Sequence, residues 1–181
     1  MIREHRMALL GALLAAVAGA AVEYRLSHPE APESTAARPP ATLPTLELHG
    51  LDGQSVRLPD AHPGKTLLLN FWASWCAPCI AEMAELQRFS AQQSANGVQV
   101  IGIALDDPNA VADFLRAHPV SYPILLDRPS PADASVRLGD HRGVLPYSVL
   151  VATDGRVLER RAGPFAQGEI DGWVRAATAP R

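Results

Sequence analysis

The sequence has few aromatic residues and a single lysine, and its opposite charges are nearly balanced. Aromatic residues make up 6% of the 181 positions, and 16 Lys+Arg stand against 19 Asp+Glu. Because the cations, all arginine except Lys65, are scattered along the chain, they form no basic surface of the kind that binds nucleic acid. The hydrophobic share of 48% is sufficient for a globular core and argues against a fibrous or wholly disordered chain.

The N-terminus resembles an export signal. Arg3 and Arg6 precede an uncharged run at 7–22, which is the arrangement of a signal peptide or a signal anchor. We favour a retained anchor over cleavage after Ala20, and either outcome exports the rest of the chain. The chain is therefore predicted on the periplasmic side of a bacterial inner membrane, where disulfide chemistry is permitted.

The length predicts one domain with an appendage, since a domain takes roughly 150 residues. Positions 27–44 contain five prolines and almost no large apolar side chain, which is typical of an extended linker. We therefore divide the chain into an N-terminal signal anchor or signal peptide at 1–26, a linker at 27–44 and a folded domain at 45–181.

Within the domain, the apolar pattern predicts strands that alternate with helices. Two short alternating segments around the Asp52-Gly53 turn indicate an N-terminal hairpin. Buried strands are predicted at 66–72 and 98–105, with a helix at 76–95 between them. A further helix follows an N-cap at Asp107, and the chain closes with a hairpin and a last helix. This order predicts an α/β domain, with a mixed sheet and helices on both of its faces.

Both cysteines lie in one C-x-x-C motif, at the point where the strand predicted at 66–72 gives way to a helix. Backbone N–H groups at a helix N-terminus stabilise an anion, so the Cys76 thiolate is expected to be a usable nucleophile near neutral pH. Cys79 lies one turn further into the helix. It is better placed to be shielded, and to attack Cys76 once that residue is bonded to another sulfur.

Other uses of a C-x-x-C pair fit the sequence less well. Structural zinc needs four ligands, and the chain has neither a third cysteine nor a suitably spaced histidine pair. Covalent haem attachment requires a histidine directly after the second cysteine, where this chain has Ile80. A purely structural disulfide that closes so short a loop would add little stability through chain entropy.

The segment at 70–79, NFWASWCAPC, resembles the active-site segment of the thioredoxin superfamily, and in particular that of the exported TlpA/ResA-like thiol–disulfide oxidoreductases. The resemblance covers residues 45–181. It implies a thioredoxin-like fold, with a mixed sheet flanked by helices and an N-terminal β-hairpin extension. The GVLP sequence at 143–146 resembles the cis-proline loop of this family, which faces the cysteines.

The resemblance also implies residues that tune the redox pair. Glu82, three residues after Cys79, matches the acid that tunes the thiols and moves protons in the ResA-like branch. Asn70 stands where cytoplasmic thioredoxins carry a buried aspartate, and as a buried polar residue it is expected to need a partner. Ala77 and Pro78, between the cysteines, are expected to contribute to the tuning.

A second group of residues is expected to contact the substrate. The resemblance predicts a cis bond before Pro146, and such a bend would expose the Leu145 backbone to pair with an extended substrate strand. We expect Trp75 to form part of the same surface. Tyr147 follows Pro146 where reductases of cytochrome c maturation carry an acidic residue, which leaves that more specific role in doubt.

The sequence therefore predicts a protein-disulfide oxidoreductase that acts as a reductase. Cys76 attacks a disulfide of an exported protein, Cys79 resolves the mixed disulfide, and a transmembrane thiol donor regenerates the pair. No metal or organic cofactor is needed, and we expect a monomer. Two alternatives stay open: an oxidase that donates its disulfide through the same residues, and a Cu(I) metallochaperone in which His141 is a third ligand.

Overall fold

The structure, a computed structural model, describes residues 39–94 and 97–179. The segment predicted at 1–26 and the linker up to residue 38 lie outside the described residues. Among the residues that are described, no helix is both long enough and apolar enough to cross a membrane.

The described residues form strands and helices in alternation. The strands are β1 (Leu46–Gly50), β2 (Ser55–Leu58), β3 (Leu67–Trp72), β4 (Gln99–Leu105), β5 (Ile124–Asp127), β6 (Tyr147–Val151) and β7 (Val157–Ala162). The helices are α1 (Ala77–Ala91), α2 (Pro108–Ala117), α3 (Ala134–Arg137) and α4 (Glu169–Thr178).

All of these strands belong to one mixed sheet, in the order β2-β1-β5-β4-β3-β6-β7. Strands β3, β4 and β5 are parallel to one another, and the other neighbouring strands are antiparallel. The β1–β2 hairpin continues this sheet, because His49 and Gly50 pair with residues of β5. The sequence predicts the mixed sheet but not this continuation of it.

Strand β3 is buried on both faces, as its unbroken apolar sequence predicts. Leu67, Leu69 and Phe71 belong to the core on one face of the sheet. Leu68 and Trp72 belong to the core on the other face, which also contains residues of α1, α2 and α4. Alternation along the strand puts Asn70, its one polar side chain, on the face covered by α1.

Helix α1 is shorter than the sequence predicts. The pattern predicts a helix up to residue 95, whereas α1 ends at Ala91. The reason lies in Gln93, whose side chain donates to the Phe89 carbonyl (3.1 Å) and accepts from the Val98 backbone N–H (3.1 Å). These bonds satisfy backbone groups at the end of the helix and turn the chain towards β4.

Described residues before position 45 already contact the folded domain. The Leu43 N–H donates to the Gly155 carbonyl (2.8 Å), and the Val157 N–H donates to the Ala41 carbonyl (2.8 Å). The buried Leu43 side chain joins the core on the Leu69 face. The end of the stretch predicted as a linker thus packs along the start of β7.

Replacing Leu69 with alanine should lower the free energy of unfolding by about 2–5 kcal/mol, because the truncation leaves a cavity in the centre of the sheet. Denaturant titration of the oxidised protein measures this loss. Leu51→Ala is the matched control, since the Leu51 side chain is more than half exposed and its loss should cost well under about 1 kcal/mol. Equal losses in the two variants would contradict the assignment of Leu69 to the core.

Candidate active site

The two cysteines form a disulfide at the N-terminus of α1. Cys76 is the N-cap residue, and its Sγ accepts a hydrogen bond from the Cys79 backbone N–H at 3.3 Å. Cys76 is 4% exposed and Cys79 is fully buried, so an incoming sulfur can reach only the first of them. Ala77 and Pro78 form the exposed first turn of the helix. The backbone N–H groups of this first turn favour negative charge on Cys76.

A carboxylate at the end of β4 holds the loop that leads into Cys76. The backbone N–H and the hydroxyl of Ser74 both donate to Asp106 Oδ2, at 2.9 and 2.6 Å. Burial raises the pKa of Asp106, but the bonds from Ser74 and from the Asp107 backbone N–H together outweigh it and hold the pKa below its usual range. Next to this anchor, the Trp75 side chain is 70% exposed, whereas Trp72 is buried in the core. A large apolar surface therefore lies in solvent beside the cysteine pair.

The loop before β6 approaches the same edge of the sheet. Phe71 pairs with Tyr147, so Pro146 lies level with the end of β3, where the chain leaves for Cys76. The Leu145–Pro146 peptide bond is cis. The Pro146 carbonyl accepts from the Gly163 N–H at 2.8 Å, and the Leu145 side chain is half-buried against both cores.

Glu82 is buried one helical turn below Cys79, with an exposed fraction of 1%. Its Oε1 accepts from Asn70 Nδ2 at 2.7 Å, and its Oε2 accepts from the Phe165 backbone N–H at 2.8 Å. Asn70 Nδ2 also donates to Ser148 Oγ at 3.0 Å. Both carboxyl oxygens thus have donors, supplied by β3 and by the segment that precedes α4.

Burial raises the pKa of Glu82 to about 7. The bonds from Phe165 and Asn70 and the positive charge of Arg161 act in the opposite direction, but burial outweighs them. Burial also raises the pKa of Tyr122, and the nearby charge of Glu82 adds to that rise. A carboxyl group that titrates near neutral pH is able both to accept and to release a proton beside the redox pair.

Sequence reasoning missed three residues around Glu82, namely Ser148, Arg161 and Phe165. Ser148 was detectable in principle, because it is a polar residue within the apolar run of β6. Phe165 acts through its backbone N–H, which no residue type reveals. Arg161 is one of many arginines, and only the register of β7 brings it to this face of the sheet.

The side chain of His141 is exposed on the loop before Pro146. Within residues 39–94 and 97–179, no group of three or more His, Cys, Asp or Glu side chains is placed to hold a metal ion. In this part of the chain His141 is accordingly not grouped with Cys76 and Cys79.

Relatives of the chain share both the fold and the chemistry. It is 28% identical to the thiol-disulfide oxidoreductase ResA of Bacillus cereus over 75% of this chain and 76% of the relative. It is 27% identical to ResA of Geobacillus kaustophilus over 94% of this chain and 95% of the relative. A thioredoxin-related protein from Neisseria meningitidis superposes with a TM-score of 0.64 at 30% identity, over 72% of this chain and 98% of that structure.

Fold and site together define a thiol–disulfide oxidoreductase of the thioredoxin superfamily, with Cys76 and Cys79 as its redox pair. The Redoxin family model matches residues 33–173, and the chain belongs to that family. The predicted thioredoxin-like fold and the predicted resemblance to ResA-like proteins are confirmed.

The raised pKa of Glu82 makes stability depend on pH. Between about pH 4.5 and 7 the folded protein keeps a proton on Glu82 that the unfolded chain releases, so stability falls as the pH rises. A shift from 4.5 to about 7 corresponds to about 3 kcal/mol. In denaturant titrations of the oxidised protein, Glu82→Gln should remove up to this much of the pH dependence in that window.

Glu85→Gln is the matched control for this effect. In the wild type, the hydrogen bond from Arg88 lowers the pKa of Glu85. The stability that ionised Glu85 contributes is therefore lost only as the pH falls below about 4.5, the ordinary pKa of a glutamate. The Glu85 variant should therefore keep the wild-type slope between pH 4.5 and 7. A Glu82 variant that also keeps that slope would show that Glu82 titrates in its ordinary range.

Proposed function

We propose that the protein is an exported reductase of protein disulfides, in which Glu82 serves as the proton acceptor for Cys79. One observation carries this proposal: a fully buried cysteine of a redox pair lies one helical turn above a buried carboxyl group whose pKa is about 7. Such an acid accepts a proton near neutral pH without a path to bulk water. The reduced protein therefore has what it needs to resolve a mixed disulfide.

The proposed reaction begins with the reduced pair. The Cys76 thiolate attacks one sulfur of a substrate disulfide, and the other substrate sulfur leaves as a thiolate. Cys79 then passes its proton to Glu82 and attacks Cys76 Sγ, which releases the second substrate thiolate and closes the Cys76–Cys79 disulfide. Two electrons pass to the substrate, and two protons complete its thiols.

The surface around Cys76 suits an extended polypeptide. Trp75 offers an exposed aromatic face, and the pairing of β3 with β6 brings Pro146 and Leu145 to the edge of the sheet where the chain leaves for Cys76. We infer that a substrate strand bonds to the Leu145 backbone and packs on Trp75, which aligns its disulfide with Cys76. Ala77 and Pro78 are small enough to leave this approach open.

A catalytic cycle requires a source of electrons. We infer a transmembrane thiol donor that reduces the Cys76–Cys79 disulfide, with the domain on the periplasmic side of an inner membrane. The positive N-terminus and the apolar run at 7–22 support this location. From this protein, thiol–disulfide exchange needs only the two cysteine sulfurs and a group that accepts a proton, and a monomer supplies both.

Single cysteine variants should separate the two steps of the reaction. Cys76→Ser should abolish turnover of a protein disulfide, because the buried Cys79 cannot be reached by a substrate. Cys79→Ser should accumulate mixed disulfides that a non-reducing gel resolves, because attack still occurs and resolution does not. Full turnover by the Cys76 variant, or mixed disulfides on Cys79 alone, would reverse the assigned roles.

The direction of exchange depends on the reduction potential of the pair. We expect a value near or below about −230 mV, the range of reducing thioredoxins and glutaredoxins, in equilibrium with dithiol buffers. Thiol trapping followed by gel separation measures the reduced fraction at each buffer ratio. A value near about −120 mV would instead assign the protein as a disulfide donor.

A further inference from the structure

A row of polar residues crosses the sheet beneath α1. Asn70 on β3 pairs in register with Ser148 on β6, and Ser148 pairs with Arg161 on β7. Because directly paired residues point to the same face, all of them lie on the face that α1 covers. Glu82, from α1, bonds to the first member of this row. The guanidinium of the last member, Arg161, bonds to the segment between β7 and α4 rather than to Glu82.

The guanidinium group of Arg161 fastens the turn between β7 and α4. It forms an ion pair with Glu169 at 2.8 Å and donates to the Pro164 carbonyl at 3.0 Å. It also lies 4.7 Å from the centroid of the Phe165 ring. Glu169 in turn accepts from the Ala166 N–H at 2.8 Å. A planar fork suits this combination of stacking and paired bonds, which an ammonium group cannot reproduce.

The fastened turn is the one that bonds to Glu82. The N–H group of Phe165 donates to Glu82 Oε2 from the same residue whose ring stacks on the guanidinium. We propose that Arg161 is a positioning residue of the redox site: its guanidinium fork fixes the Phe165 N–H against Glu82, and its charge favours the ionised carboxyl. The consequence for catalysis rests on the proposed role of Glu82 as proton acceptor.

Both effects of Arg161 lower the pKa of Glu82, whereas burial raises it. A fixed N–H donor and a nearby positive charge each stabilise a carboxylate, whereas burial favours the protonated acid. Arg161 is 29% exposed, so its charge is only partly screened by solvent. The pKa of Glu82, about 7, is then a balance between burial, which raises it, and the bonds from Phe165 and Asn70 together with the charge of Arg161, which lower it.

Other ionisable groups near Glu82 do not replace this charge. Tyr122 faces Glu82 from the chain ahead of β5 and is neutral near pH 7, since burial and the charge of Glu82 raise its pKa further above the ordinary value of 10. One turn further along α1, Glu85 pairs with Arg88, which also pairs with Asp171 of α4. Glu169 faces the site from α4 and is bound to Arg161 itself.

The test is a carbon-13 NMR titration of the Glu82 carboxyl in the oxidised full-length chain, with the signal assigned by its loss in Glu82→Gln. In Arg161→Gln the titration midpoint should move up, by up to about one pH unit, since a nearby opposite charge and a fixed N–H donor each lower a carboxyl pKa. Arg161→Lys should show a smaller rise, because lysine keeps the charge and loses the fork.

The matched control is Arg160→Gln, which removes the same charge from the neighbouring position of β7. Arg160 bonds to the Leu138 carbonyl on the other side of the strand and has no bond to the turn before α4. This variant should leave the Glu82 midpoint where it is in the wild type. An unmoved midpoint in either folded Arg161 variant, or an equal rise in the Arg160 variant, would overturn the proposal.

A kinetic measurement separates this proposal from the proposed role of Glu82. The rate at which Cys79 resolves a preformed mixed disulfide should rise with pH around the Glu82 midpoint, and that rise should move up in Arg161→Gln. If the NMR midpoint moves while Glu82→Gln leaves the rate profile unchanged, Arg161 positions Glu82 but Glu82 is not the proton acceptor. If Glu82→Gln alters the rate profile while the Arg161 variants leave the NMR midpoint unmoved, Glu82 is the proton acceptor but Arg161 does not position it.

Discussion

The carboxyl group of Glu82 joins the parts of the domain that build its redox site. Through Asn70 it ties helix α1 to strand β3, and through the Phe165 N–H it ties the same helix to the turn before α4. A buried carboxyl without donors would cost several kcal/mol, so these two bonds are a condition for its presence in the core. Helix α1, which carries both cysteines, is therefore oriented on the sheet by a polar contact as well as by its apolar face.

The sheet explains why residues so distant in sequence meet at this carboxyl. Strand β3 lies inside the sheet, with β4 parallel on one side and β6 antiparallel on the other. Its alternation gives one face to Leu67, Leu69 and Phe71 and the other to Asn70 and its apolar neighbours. The antiparallel register then adds Ser148 and Arg161 to the row of Asn70. A shift of one residue in β6 would remove both from this face.

The elements that could be predicted from the sequence are those signalled by a few consecutive residues. The run at 66–72, the cysteines at a helix start and the N-cap at Asp107 each carry a signal within a few residues, and the mixed sheet follows from their order. The end of α1 was predicted too late because a Gln93 side chain, not a glycine, ends it. The pairing of β1 with β5 and the partners of Glu82 depend on long-range register, which the periodicity of a segment does not contain.

In the proposed reaction the two cysteines need opposite protonation states, and a different part of the fold favours each state. Before a substrate binds, Cys76 of the reduced protein is needed as a thiolate. It lies at the helix N-terminus, where backbone N–H groups stabilise negative charge. Cys79 is useful as a thiol until a mixed disulfide has formed, because an early thiolate would compete with Cys76 for the substrate. Cys79 is fully buried, and burial disfavours a charged thiolate. In the proposed reaction Glu82, one turn below and with a pKa of about 7, takes the proton when resolution begins. Separating the two functions along a single helical turn lets one short motif hold both states at the same pH.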